Sequence, residues 1–307
     1  MKFPDWNDSD PTATLKCMNP LSDQYPGRAT HWKLRSQTLD FGPRPLLMGI
    51  VNTTPDSFSD GGKYFDADSA IAHALQLVED GADLIDIGGE STRPYASSIS
   101  TDEEIRRILP VIESLAQQTN VPISIDTSKS KVAQAAIAAG AEIINDISAL
   151  EFDTAMLDVA LETQAGICAM HMQGTPQTMQ DNPQYNSVVD DIYKYLEQKL
   201  DTLQSAGVSQ EQLCLDPGIG FGKTHAHNLE LMTQCRRFHG LECPILVGHS
   251  RKGFLAKLLE DKQADRTSVS VGAALALATQ GVQILRIHDV RPTREALLAF
   301  MASGGVS

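Results

Sequence analysis

Eight times along this 307-residue chain a short apolar run stops abruptly on polar residues, and amphipathic stretches separate the runs. The first, Leu46-Leu47-Met48-Gly49-Ile50-Val51, ends at Asn52. The others are Leu84-Ile85-Asp86, Ile123-Ser124-Ile125-Asp126, Ile143-Ile144-Asn145-Asp146, Ile167 to His171, Leu213-Cys214-Leu215-Asp216, Ile245 to Ser250 and Ile284-Leu285-Arg286-Ile287-His288. Between them, Ser69–Asp80, Asp102–Gln118, Lys129–Ala139, Thr154–Thr163, Val189–Gln204, Leu229–Phe238, Thr267–Thr279 and Thr293–Met301 carry helical spacing, as with Ile71, Leu75 and Val78. Gly81, Gly140, Gly207 and Gly281 follow helices, where a left-handed residue ends the last turn. Strict alternation implies parallel strands joined by right-handed crossovers. Eight units, with no Gly-x-Gly-x-x-Gly after the first strand, favour a (β/α)8 TIM barrel over an open doubly wound sheet.

That barrel accounts for residues 31–307 as one domain. Residues 1–30 are polar and aperiodic and read as a loosely packed arm. His31–Leu34 and Gln37–Phe41 alternate like strands, and a hairpin there would close the barrel bottom. A net charge of −14 disfavours a nucleic-acid partner, which needs a basic face. Five cysteines without Cys-x-x-Cys spacing signal neither a disulfide framework nor a zinc site, and fit a reducing cytoplasm. No signal-peptide pattern and no run of about 18 apolar residues is present, so a soluble, non-membrane protein is expected.

In a barrel, residues at the carboxyl ends of the strands converge on one mouth. Asn52, Asp86, Asp126, Asn145, Met170, Asp216, Ser250, Lys252, Arg286 and His288 should therefore be neighbours. Asp126, Asn145 and Asp216 offer carboxylates and an amide, which suits a flat amino-pyrimidinone heterocycle whose carbonyl Lys252 could take. Singly, each Asp is as well explained as a helix N-cap, Asp126 before Thr127-Ser128-Lys129 above all. A second set is anion-directed: Arg93, Arg286, His288, and Asn52 as an amide ligand for Mg²⁺ shared with a diphosphate. Arg93 alone reads equally as a surface ion pair. Arg286, flanked by Leu285 and Ile287, should point into the barrel, with His288 on the same side. The glycines of Asp216–Lys223 would let backbone approach a flat ligand with Phe221 packed on it, or simply make a turn. His225-x-His227 sits past that turn and reads as the polar start of a helix rather than as metal ligands.

In these segments the chain resembles the dihydropteroate synthase family. The resemblance rests on Met48–Gly62 (MGIVNTTPDSFSDGG), Asp86–Pro94 (DIGGESTRP), Ile125–Lys129 (IDTSK), Ile144–Ser148 (INDIS), Asp216–Thr224 (DPGIGFGKT), Gly248–Gly253 (GHSRKG) and Arg286–Thr293 (RIHDVRPT), all in family order. It implies condensation of 6-hydroxymethyl-7,8-dihydropterin diphosphate with p-aminobenzoate by an SN1-like route, with Asp126, Lys252, Arg286 and His288 catalytic. It also implies that Asp126, Asn145, Asp216 and Lys252 hold the pterin, walled by Met170, Ile147, Gly220 and Phe221 and stacked on by Arg286. Asn52, Arg93, Arg286 and His288 would bind diphosphate and Mg²⁺. Phe58, Thr92, Pro94 and Ser250 would surround p-aminobenzoate, where sulfonamides compete. A homodimer through helices near Thr267–Met301 is implied as well. Tyr95 stands where the family often has Gly, a departure expected to alter the loop after Arg93.

Overall fold

A computed structural model describes residues 24–54, 67–261 and 264–306. An antiparallel hairpin, β1 (His31–Lys33) and β2 (Thr38–Asp40), precedes eight parallel strands. These are β3 (Leu46–Asn52), β4 (Leu84–Gly88), β5 (Ile123–Asp126), β6 (Ile143–Asp146), β7 (Gly166–Met170), β8 (Leu213–Asp216), β9 (Leu246–Val247) and β10 (Ile284–Ile287). They follow one another around the sheet, β10 pairs with β3, and a parallel bridge from Leu215 to Ile245 joins the remaining edges. The (β/α)8 barrel is closed.

Helices α1 (Ala67–Glu79), α2 (Thr101–Gln118), α3 (Ser130–Ala138), α4 (Met156–Thr163), α5 (Val188–Ser205), α6 (His225–Thr233), a short α7 (Gly253–Ala256), α8 (Thr267–Ala278) and α9 (Val290–Ala302) surround it. The expected helix Leu229–Phe238 begins earlier, at His225, because Thr224 and His227 cap each other's backbone. It gives way after Thr233 to 3-10 turns over Cys235–Leu241. The His225/His227 pair is thus a helix start, as its position suggested. Gly81, Gly140, Gly207 and Gly281 all have positive φ, as expected of residues that end helices.

Period-two alternation sorts each strand. Leu47, Ile85, Ile125, Ile144, Leu215 and Leu285 face the helices and join the main core. Met48, Leu84, Ile143, Cys168, Cys214, Leu246 and Ile284 face inward and form a separate apolar floor. Two residues further along the same inward rows come Ile50, Asp86, Asn145, Met170, Asp216, Gly248 and Arg286. One repeat of the pleat therefore turns an apolar floor into a mostly polar chamber. Cys168 and Cys214 belong to that floor as buried thiols; their mutual contact and burial push the Cys168 thiol up.

The hairpin plugs the floor from below. Trp32 is fully buried with Leu34 and Phe41 against the inward residues, and its Nε1 donates to the Gln212 carbonyl at 2.9 Å. Residues 24–30, the end of the segment read as an arm, are tied to the barrel: the Tyr25 hydroxyl donates to the Thr279 carbonyl, and Arg28 donates from Nε to Gly281 O at 2.8 Å and from Nη2 to Gly42 O at 3.1 Å. Single side chains reaching distant carbonyls leave no periodic trace in a sequence. Among the described residues no helix is long and apolar enough to cross a membrane.

Trp32→Ala should cost about 3–5 kcal/mol of stability in urea denaturation, from lost burial and the cavity left behind. Trp32→Phe should cost about 1–3 kcal/mol, mainly for the unpaired Gln212 carbonyl. Equal losses for the two would mean that the ring's volume does not seal the floor.

Candidate active site at the barrel mouth

Arg286 rises from β10 into the chamber and meets two carboxylates from other strands. Its Nε donates to Asp86 Oδ2 at 2.6 Å and its Nη2 to Asp126 Oδ2 at 2.7 Å. Asp86 is fully buried and also takes both contacts from Asn145 Nδ2, at 3.3 Å each. Asp86 therefore orients the Asn145 amide, leaving its carbonyl oxygen and second N–H for a ligand. Asp126 Oδ1 is buried and has no hydrogen-bond partner among the described residues. Burial pushes the Asp126 carboxyl up to about 7, against the pull of Arg286, and the carboxylates of Asp86 and Glu104 reinforce the rise. Asp86 and Asp126 hold Arg286 firmly protonated despite its burial.

Asp126 is not the helix cap that its position suggested. The amide of Ser130 at the start of α3 instead binds Asp153 Oδ2 at 2.8 Å, so the mouth carboxylate is released from capping. On the opposite wall, Asp216 accepts from Gly218 N at 2.7 Å, and burial raises its carboxyl. Lys252 donates to the Ile219 carbonyl, its Nζ 4.5 Å from the Phe221 ring centroid. Burial brings that ammonium down to about 8, with Asp216 opposing, so it stays mostly protonated at neutral pH. Met170 pairs in register with Asp216, and Ile147 is buried just beyond β6.

Of the two causes open for the three glycines around Phe221, the turn itself is the one that the structure supports. All have positive φ, and a Cβ would lie 1.9 Å from His171 O at Gly218, 2.8 Å from Lys252 Cδ at Gly220 and 2.6 Å from Gln173 O at Gly222. Protein backbone and the Lys252 stem demand them, without any ligand. Lys223, which sequence reasoning passed over, braces this turn: buried, it contacts His171 Nδ1 at 3.0 Å and donates to Phe221 O at 2.8 Å. Burial drives Lys223 well down and His171 to about 2.

The anion-directed residues stand at the rim. His288 shares contacts with Ser250 Oγ at 3.2 Å through both its ring Nδ1 and its backbone N–H. Burial, with Arg286, Arg251, Arg93 and Lys252 adding to it, lowers His288 to about 3, so it is a neutral hydrogen-bonding group and not the positive charge the sequence suggested. Arg251 is engaged by Asp289. Thr92, Arg93 and Pro94 stand on the β4–α2 loop, with Arg93 and Pro94 exposed. Asn52 ends β3 in register with Gly88, which in turn pairs with Asp126. Phe58 lies outside the described residues.

Tyr95 adopts the left-handed backbone that a glycine there would take freely, at φ 63°. Its N–H donates to Pro176 O at 3.1 Å and its hydroxyl to Asp181 at 3.2 Å, so the loop leans on the segment after β7.

A closed barrel with a carboxylate and amide mouth ringed by arginines defines an enzyme for a flat heterocycle bearing an anionic group. The family model described as "Pterin binding enzyme" matches residues 48–288. The Escherichia coli dihydropteroate synthase is 45% identical over 253 residues, 82% of this chain and 89% of that protein. A solved structure of the Yersinia pestis dihydropteroate synthase in a sulfonamide drug complex is 44% identical, with TM-score 0.83 over 89% of this chain and 98% of that one. The Xanthomonas albilineans enzyme in complex with 7,8-dihydropteroate is 38% identical, with TM-score 0.80 over 90% and 100%. The chain belongs to the pterin-binding enzymes and, within them, to the dihydropteroate synthase family.

A carboxyl raised on folding contributes stability that is present below its unfolded value and lost as pH rises through the folded one. For Asp126 that window runs from 3.8 to about 7. Urea titrations should show the wild type losing stability relative to Asp126→Asn across this window, by at most about 1.4 kcal/mol per pH unit. Parallel curves would show that Arg286 fully compensates the burial.

Proposed function

We infer that the mouth condenses 6-hydroxymethyl-7,8-dihydropterin diphosphate with p-aminobenzoate to 7,8-dihydropteroate and diphosphate. The observation that carries this reading is the orphaned Asp126 Oδ1: a buried carboxylate oxygen left open beside Arg286 needs a donor, and the N–H edge of a pterin supplies one. Asp216 and the freed face of the Asn145 amide accept or donate along the rest of that edge, Lys252 donates to the ring carbonyl, and Met170 and Phe221 wall it.

In the reaction the methylene–oxygen bond breaks and its electron pair leaves with diphosphate. The p-aminobenzoate nitrogen then forms the new carbon–nitrogen bond, and its surplus proton passes to solvent. Asp126 and Asp86 place negative charge beside the developing pterin cation, which favours departure before attack. Arg286 has Nη1 left for the leaving group once Nε and Nη2 are committed to the carboxylates, Arg93 adds charge from the loop, and His288 supplies a hydrogen bond. Such preorganised charge is the largest catalytic term expected here.

Asn52 suits Mg²⁺ as a single hard amide oxygen at the mouth, with the remaining ligands taken from phosphate oxygens and water. Among the described residues no cluster of three or more His, Cys, Asp or Glu could hold a metal on its own, consistent with a site completed by substrate. When bound, the ion neutralises charge on the diphosphate. Sulfonamides compete with p-aminobenzoate in this reading, and the enzyme works in a reducing cytoplasm. It is a homodimer in which α8 packs on a second copy. The helix sequence, TSVSVGAALALA, is apolar around its circumference while only Ser270, Ala274, Leu277 and Ala278 are buried. Sedimentation should give twice the chain mass; one chain mass would refute the dimer.

Diphosphate release followed together with dihydropteroate tests the assignment. Arg286→Ala should lower kcat/KM by about 10²–10³-fold, the scale seen when one preorganised charge-stabilising donor is removed. Asp126→Asn should fall comparably, and near-normal turnover in either variant would contradict its assigned role.

A further inference from the structure

Behind the mouth lies a polar cluster that the reaction above does not use. Lys129, just past Asp126, donates to Glu90 Oε2 at 2.7 Å, to Glu104 Oε2 at 2.7 Å and to the Ile99 carbonyl at 2.9 Å. All three ammonium hydrogens are thus committed. The Ile99 amide in turn donates to Glu90 Oε1 at 3.0 Å, so both backbone groups of Ile99 are held by the same pair of side chains. Glu104, only 1% exposed, also accepts from Thr127 Oγ1 at 2.7 Å, which fixes the connection that follows Asp126. Gly89 completes the fit, since a Cβ there would lie 2.8 Å from Glu104 Cγ.

Glu90 and Ile99 are the two feet of the β4–α2 loop, and the excursion between them carries Thr92, Arg93 and Pro94. We propose that Lys129 is a positioning residue for this loop: by clasping its feet to the strand end that carries Asp126, it fixes where Arg93 and the aniline-side residues stand relative to the pterin site. The proposal deepens the synthase reading and rests on it. A surface ion pair would not do this, because long side chains in water hold no fixed geometry. Here one cation is shared by two largely buried carboxylates and a carbonyl, an arrangement whose loss leaves Glu104 charged and unpaired. The pterin edge itself is read from the strand ends, so the clasp should affect the second substrate far more than the heterocycle.

The experiment compares wild type with Lys129→Met, Lys129→Arg and Glu90→Gln. Glu90→Gln keeps Lys129 paired with Glu104 and preserves an acceptor for the Ile99 amide, so it should stay folded even if Lys129→Met does not. Three quantities are measured: KM for p-aminobenzoate, Kd for 6-hydroxymethylpterin lacking the diphosphate, and amide exchange over residues 91–98. Lys129→Met should raise KM roughly ten- to hundredfold, the scale of a misplaced catalytic geometry. Glu90→Gln should move KM the same way by less, and Lys129→Arg, able to bridge both glutamates, should restore most of the loss. Pterin Kd should change by less than about twofold, a shift under 0.5 kcal/mol, while exchange at 91–98 quickens in both weakened variants. If KM and pterin Kd rise in parallel, or exchange at 91–98 does not change, the clasp is merely structural and the proposal fails. If wild type makes no dihydropteroate, the synthase reading fails instead, and exchange still reports on the clasp.

Discussion

One guanidinium between two buried carboxylates organises this mouth. Arg286, Asp86 and Asp126 come from three strands, and none could be buried alone without a penalty of several kcal/mol. Together they fix one another: Asp86 takes Nε and orients Asn145, while Asp126 takes Nη2 with one oxygen and leaves the other without a partner. Two carboxylates share one cation, so the triad carries excess negative charge. Burial lifts Asp126, the charge of Asp86 reinforces the rise, and the excess favours a cationic, N–H-rich ligand.

The rest of the barrel serves this arrangement. Strand alternation places the apolar floor one pleat below the triad, and Trp32 seals it from beneath, so the charged chamber opens only upward. Capping of α3 by Asp153 removes the competing use of Asp126. Lys223, paired with His171 rather than with a carboxylate, braces the turn that presents Phe221 and Gly220 to Lys252. The Lys129 clasp ties the Arg93 loop to the strand of Asp126.

Much of this was legible in the amino-acid order because barrel strands write their two faces in alternating letters. The eight runs, the floor-closing hairpin, and Arg286 pointing inward between Leu285 and Ile287 all follow from period two. The role of Asp86 was not legible: it depends on which inward row of β10 meets which row of β4, a contact across 200 residues of sequence. Gly218 and Gly222 answer to the backbone of the loop after β7 and Gly220 to the Lys252 stem, which no local pattern announces. His288 reads as a cation by type, yet burial beside four cations keeps it neutral. Lys129 reads as a helix-start residue and does stand at the N-cap of α3, but its hold on Glu90, Ile99 and Glu104 shows only once the chain is folded.

The central claim is that the mouth drives diphosphate off the pterin methylene by breaking the carbon–oxygen bond. The most direct measurement uses substrate labelled with ¹⁸O at the oxygen bridging methylene and phosphorus, with mass spectrometry of both products after one turnover with Mg²⁺ and p-aminobenzoate. The account predicts that all label leaves in diphosphate and that dihydropteroate carries none. Label recovered in hydroxymethylpterin would mean cleavage at phosphorus, and would contradict a mouth built to stabilise a pterin cation.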